Sequence, residues 1–142
     1  MFFRTGEYNH QLDAKNRIRI PPKLKDKNGE KFYFSRGTSG CIFVLPEEDV
    51  VEKLQELRSI PMSDAERQKG VRAFTKSIVP ADEDAQGRMI IPSALKSFAK
   101  ITKDVVIIGN VTHIEVWAKE VYDEYFGDED ANYDKYFNEL GI

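Results

Sequence analysis

The amino-acid sequence predicts a mainly β protein with peripheral helices, in which two internal repeats cover one another as a single small barrel. Three observations carry this prediction: a twelve-residue segment that occurs twice, alternating apolar residues in each copy, and a proline ending each alternating run. DAKNRIRIPPKL begins at Asp13 and DAQGRMIIPSAL begins at Asp84, an offset of 71. Asp13, Ala14, Arg17, Ile20, Pro21 and Leu24 recur as Asp84, Ala85, Arg88, Ile91, Pro92 and Leu95. A fainter match continues at an offset of 73, where FYF from Phe32 faces VVI from Val105 and CIFV from Cys41 faces IEVW from Ile114. Two copies are too few for a solenoid. A strand hairpin cannot bury its apolar face alone, and two independent halves of about 70 residues would each have little core. A shared barrel is the preferred arrangement.

Each element follows from local chemistry. Tyr8–Leu12 and Ser77–Val79 lead into the two motifs. The turns DAKN and DAQG follow, where Gly87 suits a positive φ and Asn16 is the next-best residue. Ile18 and Ile20 then point one way while Arg17 and Arg19 point the other. In the second copy Met89 and Ile91 take the inward register; Ile90 stands where Arg19 does, so this strand is expected to be apolar on both faces and more buried. Pro21 and Pro92 lack the amide hydrogen a ladder needs and are good first residues for a helical turn. PSALKSFAK reads as a short helix, whereas PPKLKDKNG is more polar and ends at Gly29. Strands Phe32–Ser35 and Cys41–Leu45 follow in the first half, and Val105–Ile108 and His113–Trp117 in the second.

Helices fill the remainder. After Pro46, Val50, Leu54 and Leu57 form an apolar stripe behind an acidic first turn, which suits the helix dipole. Ser63 and Glu66 have capping-box spacing, with Val71, Phe74 and Ile78 as that helix's inner face. Val121, Tyr122, Tyr125 and Phe126 line another helix stopped by Gly127, and Tyr133, Tyr136, Phe137 and Leu140 a last one. The chain divides into a first repeat with its following helix (1–60), a connecting helix (61–76) and a second repeat with C-terminal helices (77–142).

Composition narrows the function. Hydrophobic residues at 41% and charged residues at 32% are ordinary for a globular protein. No apolar run approaches the ~20 residues of a membrane span, no signal-peptide pattern opens the chain, and a lone Cys41 fits a reducing compartment. The expectation is a soluble cytoplasmic protein. Net charge is −3, but residues 1–36 hold nine basic and four acidic residues while 118–142 hold two basic and eight acidic. Such asymmetry permits a basic binding face on an acidic chain. Nothing points to an enzyme, a metal or a cofactor. His10, His113 and Cys41 lack metal-ligand spacing, phosphate-loop and dinucleotide-loop motifs are absent, and Asp82–Asp84 lacks the spacing of a calcium loop.

DAKNRIRIP and DAQGRMIIP resemble the paired D-x-x-x-R motifs of the MraZ family, within the AbrB-like swapped-hairpin class. RGTSGCIFVLP and HIEVWAKEVYDEYF resemble the segments that follow each motif, so the likeness runs from Gly6 to about Phe126. It departs at Asn16, where glycine is common, and at Ser39, where an acidic residue is frequent. The resemblance implies a double-split β-barrel of interlocking swapped hairpins. It also implies a ring-shaped homo-oligomer, an octamer, that binds direct repeats in promoter DNA. The implied role is to regulate, usually to repress, the division and cell-wall gene cluster from the cytoplasmic nucleoid. Asp13, Arg17, Asp84 and Arg88 would then face DNA. Arginine's planar fork grips phosphate or reads guanine O6 and N7. Asp13 and Asp84, with Asn16 and Gly87 shaping the turns, would orient it. Lys15, Arg19, Lys23 and Arg4 are candidate phosphate contacts. The plainer reading is a turn-stabilising Asp with an exposed Arg, an ion pair of only ~0–1 kcal/mol. The alternative function is a ring-forming protein-interaction module presenting Trp117, Tyr122, Tyr125 and Phe126.

Overall fold

The computed structural model describes residues 1–27 and 29–142. Asn28, in the polar stretch after Pro21, lies outside the described residues. The first half contains β1 (Glu7–Gln11), β2 (Arg17–Arg19), a 3-10 turn (Pro22–Leu24), β3 (Phe32–Arg36), β4 (Ile42–Pro46) and α1 (Glu47–Leu57). After α2 (Ala65–Thr75), the plan repeats as β5 (Val79–Pro80), β6 (Arg88–Ile90), α3 (Ser93–Phe98), β7 (Asp104–Asn110), β8 (His113–Ala118) and α4 (Lys119–Phe126). A final helix, α5 (Glu129–Asn138), closes the chain.

The two halves exchange strands. A six-stranded antiparallel sheet runs β1-β7-β8-β4-β3-β5, and a separate ribbon pairs β2 with β6. The first strand of each half therefore joins the other half: β1 lies on β7, and β5 lies on β3. Exchanging each strand for its repeat equivalent reverses the sheet order onto itself. The ribbon obeys the same pseudo-two-fold relation, because Ile18 is opposite Met89 and these residues are 71 positions apart. The barrel is split: the ribbon has its own ladder, and the large sheet has another.

One core fills the space between them. Ile18, Ile20 and Leu24 from the first motif meet Met89, Ile91 and Leu95 from the second, together with Phe32, Phe34, Val105 and Ile107 from the sheet. Each such side chain, fully buried, stabilises the fold by ~1.5–3 kcal/mol relative to exposure. Helices add little to this core: α1 buries Val50 and α3 buries Leu95, while α2, α4 and α5 bury no residue fully. The strands, not the helices, define the fold. Among the described residues no helix is long and apolar enough to cross a membrane.

Two local expectations are corrected. Asp64, not Ser63, caps α2; its carboxylate accepts the Arg67 amide at 3.1 Å. Asp is a strong N-cap acceptor and sits one position closer to the first helical turn. At its other end α2 stops at Thr75, so Ile78 lies beyond the helix and not on its inner face. The second correction concerns Ile90, which is 63% exposed rather than buried. A ribbon has one neighbour to pack on. The alternation that buries Met89 against the sheet must turn Ile90 to the opposite face.

Candidate nucleic-acid interface

Both D-x-x-x-R segments fold into the same turn. In the first, the Asp13 carbonyl accepts the Asn16 amide at 3.0 Å, and the Asp13 amide donates to the Arg17 carbonyl at 3.1 Å. The Asp13 Oδ1 accepts the amides of Lys15 and Arg17, both at 2.9 Å, while Oδ2 accepts Arg17 Nε at 2.6 Å. In the second, Asp84 Oδ1 accepts the Gln86 and Arg88 amides at 2.9 Å, and Oδ2 accepts Arg88 Nε at 2.9 Å. The fourth turn residue is left-handed in each, with φ 59° at Asn16 and 76° at Gly87. Only Gly, and to a lesser degree Asn, takes that conformation at low cost.

This geometry explains the residue types. An aspartate one carbon shorter than glutamate reaches two turn amides and still leaves an oxygen for the arginine. The Arg17 amide is the main influence holding the Asp13 carboxyl below its usual range; desolvation opposes it, and the Arg17 side chain and Lys15 amide reinforce it. Asp84 is likewise lowered, chiefly by the Arg88 amide. Both carboxylates are therefore ionised at neutral pH. Each arginine's hydrogen bond to its own aspartate uses Nε and not a terminal nitrogen. Arg88 Nη1 also lies 4.0 Å from Asp13 Oδ2, linking the two repeats across the ribbon.

The outer face of the ribbon carries three of the remaining candidates, and the adjoining turns carry two more. Arg17 is opposite Ile90 and Arg19 is opposite Arg88; Arg19 is exposed, and Arg17 and Arg88 are half-buried. Lys15 is exposed at the tip of the first turn, and Lys23 on the 3-10 turn. Arg4 does not belong with them. It is 4% exposed, and its guanidinium donates to the Leu24 carbonyl at 2.8 Å, to the Thr112 carbonyl at 3.0 Å and to Glu30. Its ring contacts with Phe2 and Phe32 complete the enclosure. A cation with every donor group engaged inside the fold has nothing left for phosphate, so Arg4 is a structural residue.

The family profile described as "MraZ protein, putative antitoxin-like" matches residues 2–72 and 81–140. The chain belongs to the MraZ family. Its relatives include proteins named Transcriptional regulator MraZ from Thermoanaerobacter sp. (strain X514), 37% identical and covering 92% of this chain and 91% of the relative. Those from Clostridium tetani (38% identical; 96% and 98% covered) and Acetivibrio thermocellus (39%; 93% and 91%) carry the same name. These names describe regulators of transcription, not a class of enzyme.

Within this MraZ fold, two lysines join the turns that the motif alone does not include. Lys96 Nζ donates to Asn16 Oδ1 at 2.8 Å, so a residue of α3 supports the first turn. Lys25 pairs with Glu83 at 2.8 Å, beside the second turn. Lys25 and Lys96 are themselves 71 residues apart; extending the repeat by one position past Leu24 and Leu95 would have found them. Other polar clusters lie elsewhere. Burial pushes the Cys41 thiol up to about 12, with the Glu115 charge adding to it, which leaves it a poor nucleophile. Burial also raises Glu115, but hydrogen bonds from His113, Asn110 and Trp117 outweigh it and hold that carboxyl below its usual range. Among the described residues no group of three His, Cys, Asp or Glu side chains is placed to hold a metal ion.

Proposed function

We propose that this protein is a sequence-specific DNA-binding transcriptional regulator that grips double-stranded promoter DNA through Arg17 and Arg88. The observation that carries this reading is the pair of equivalent Asp-braced turns on one ribbon face, with Arg17, Arg19 and Arg88 turned the same way. An arginine held at Nε presents its outer nitrogens without first having to be ordered, which lowers the entropic cost of contact. Lys15, Arg19 and Lys23 supply phosphate contacts around it. The major groove admits a two-stranded ribbon. Residues 1–60 and 77–142 act as the two halves of the reader, joined by 61–76.

One barrel offers few contacts, so assembly is part of the proposal. A ring-shaped homo-oligomer, an octamer by the family likeness, would engage several direct repeats at once and convert weak contacts into avidity. The DNA is the promoter of the division and cell-wall gene cluster, the action is repression, and the protein works on the nucleoid in the cytoplasm. Band-shift titration with DNA from upstream of the protein's own gene is the test. Duplexes with several correctly spaced repeats are expected to bind far more tightly than a duplex with one. Equal affinity for both removes the avidity account; equal affinity for unrelated DNA removes sequence-specific regulation.

The second reading, a ring-forming interaction module, draws on α5. Tyr133 (59% exposed), stacked on Phe137, and Leu140 (64%) lie there or just beyond it, and Tyr125 of α4, one of the aromatic residues first named for this role, is 57% exposed. It predicts ring assembly with no DNA retardation in the same titration.

A further inference from the structure

Ile90 is the one apolar member of the ribbon's outer face. It stands opposite Arg17, with Arg88 two residues back on its own strand and Arg19 opposite Arg88. The pseudo-two-fold relation through Ile18 and Met89 maps Ile90 onto Arg19. Four equivalent positions therefore carry three arginines and one exposed isoleucine. Single exposed apolar side chains are common on protein surfaces. This one differs in its setting, because it lies between cationic side chains on a ribbon of a width the major groove accepts. At a base edge in that groove, the apolar group on offer is the C5 methyl of thymine, whereas arginine suits guanine O6 and N7.

We propose that Ile90 packs against a thymine methyl in the major groove and is a specificity-determining residue of this interface. The inference rests on the DNA-binding reading above and adds what the ribbon reads. The fold is nearly symmetric, but its reading face is not: the Arg19 position favours guanine or phosphate, and the Ile90 position favours thymine. One barrel thus has a direction on the duplex.

The test uses the full chain and a duplex of the DNA upstream of its own gene, with each thymine replaced in turn by deoxyuridine, which removes the methyl alone. At one or two thymines per bound repeat, wild-type binding is expected to weaken about fourfold, the size for burying one methyl group. Ile90→Ala is expected to bind the intact duplex weaker by the same factor and to ignore those replacements. Ile90→Arg, which copies the Arg19 position, is expected to shift preference at that site from thymine to guanine. The particle mass of each variant is measured in parallel by sedimentation. Methyl removal without effect on the wild type overturns the proposal, as does an Ile90→Ala variant as methyl-sensitive as the wild type. An altered particle mass with methyl sensitivity retained identifies Ile90 as a contact between copies and also overturns it. Failure to distinguish this duplex from unrelated DNA defeats the DNA-binding reading itself, and the inference with it. Arginine-dependent binding without methyl dependence defeats the inference alone.

Discussion

Ile18 and Met89 face one another at the centre of the β2–β6 ribbon, 1% and 0% exposed, and they are the same position of the two repeats. The ribbon that carries both Asp-braced turns is therefore anchored to the shared core through its midpoint. Met89→Ala is expected to cost ~2–5 kcal/mol and Ile18→Val ~0.5–1.5 kcal/mol. Urea unfolding measures both. A Met89→Ala cost near zero would mean that the ribbon is not part of the cooperative core.

Arg4→Ala is expected to destabilise the fold by ~3–5 kcal/mol, because it leaves the enclosed Glu30 carboxylate without its cation. Any residual folded protein should keep the wild-type dependence of DNA affinity on salt, since Arg4 makes no phosphate contact in this account. A reduced salt slope with unchanged stability would restore Arg4 to the interface.

The turn carboxylates set an acid limit. The folded state holds Asp13 and Asp84 below the ordinary value of 3.8. The stability they contribute is thus complete above that value and is lost as pH falls through it and then through their lower folded values. The stability difference between the wild type and Asp13→Asn/Asp84→Asn is expected to shrink as pH is lowered from about 5 to about 3, measured by urea midpoints. A difference that is constant over this window would show that the carboxylates' charge contributes nothing to the turns.

Two backbone positions test the N-terminal closure. A Cβ on Gly109 would lie 2.6 Å from the Thr5 nitrogen and 2.8 Å from the Arg4 carbonyl carbon, both backbone atoms. Gly109→Ala is expected to cost ~1–3 kcal/mol through overpacking. Nearby, Val111 is exposed and holds φ at 67°, a conformation costly for a β-branched residue. Val111→Gly is expected to raise stability by ~0.5–1 kcal/mol after glycine's own entropy cost. Thermal unfolding of the two variants, with shifts of opposite sign, checks both.

Much of this was legible in the sequence because the repeat constrains local and long-range structure together. The turns at Asn16 and Gly87, the proline strand ends and the inward register of Ile18 and Met89 all follow from residues a few positions apart. What escaped depends on distant partners. Arg4 looks like a free cation until Glu30 and the Leu24 and Thr112 carbonyls surround it. Ile90 looks like a core residue until the ribbon proves to have a single packed face. The exchange of β1 and β5 between halves leaves no trace in periodicity, since strand partners are chosen by the shared core; interlocked hairpins were expected from the family resemblance alone.

Whether Arg17 and Arg88 hold DNA is decided by one comparison. Binding of the Arg17→Ala/Arg88→Ala variant to the upstream duplex is measured beside the wild type, with circular dichroism and sedimentation confirming an unchanged fold and assembly. Loss of about thirtyfold or more in affinity, from an intact particle, is the expected result, on the order of 1–3 kcal/mol for each of two bidentate contacts. Wild-type affinity from that intact particle would contradict the account.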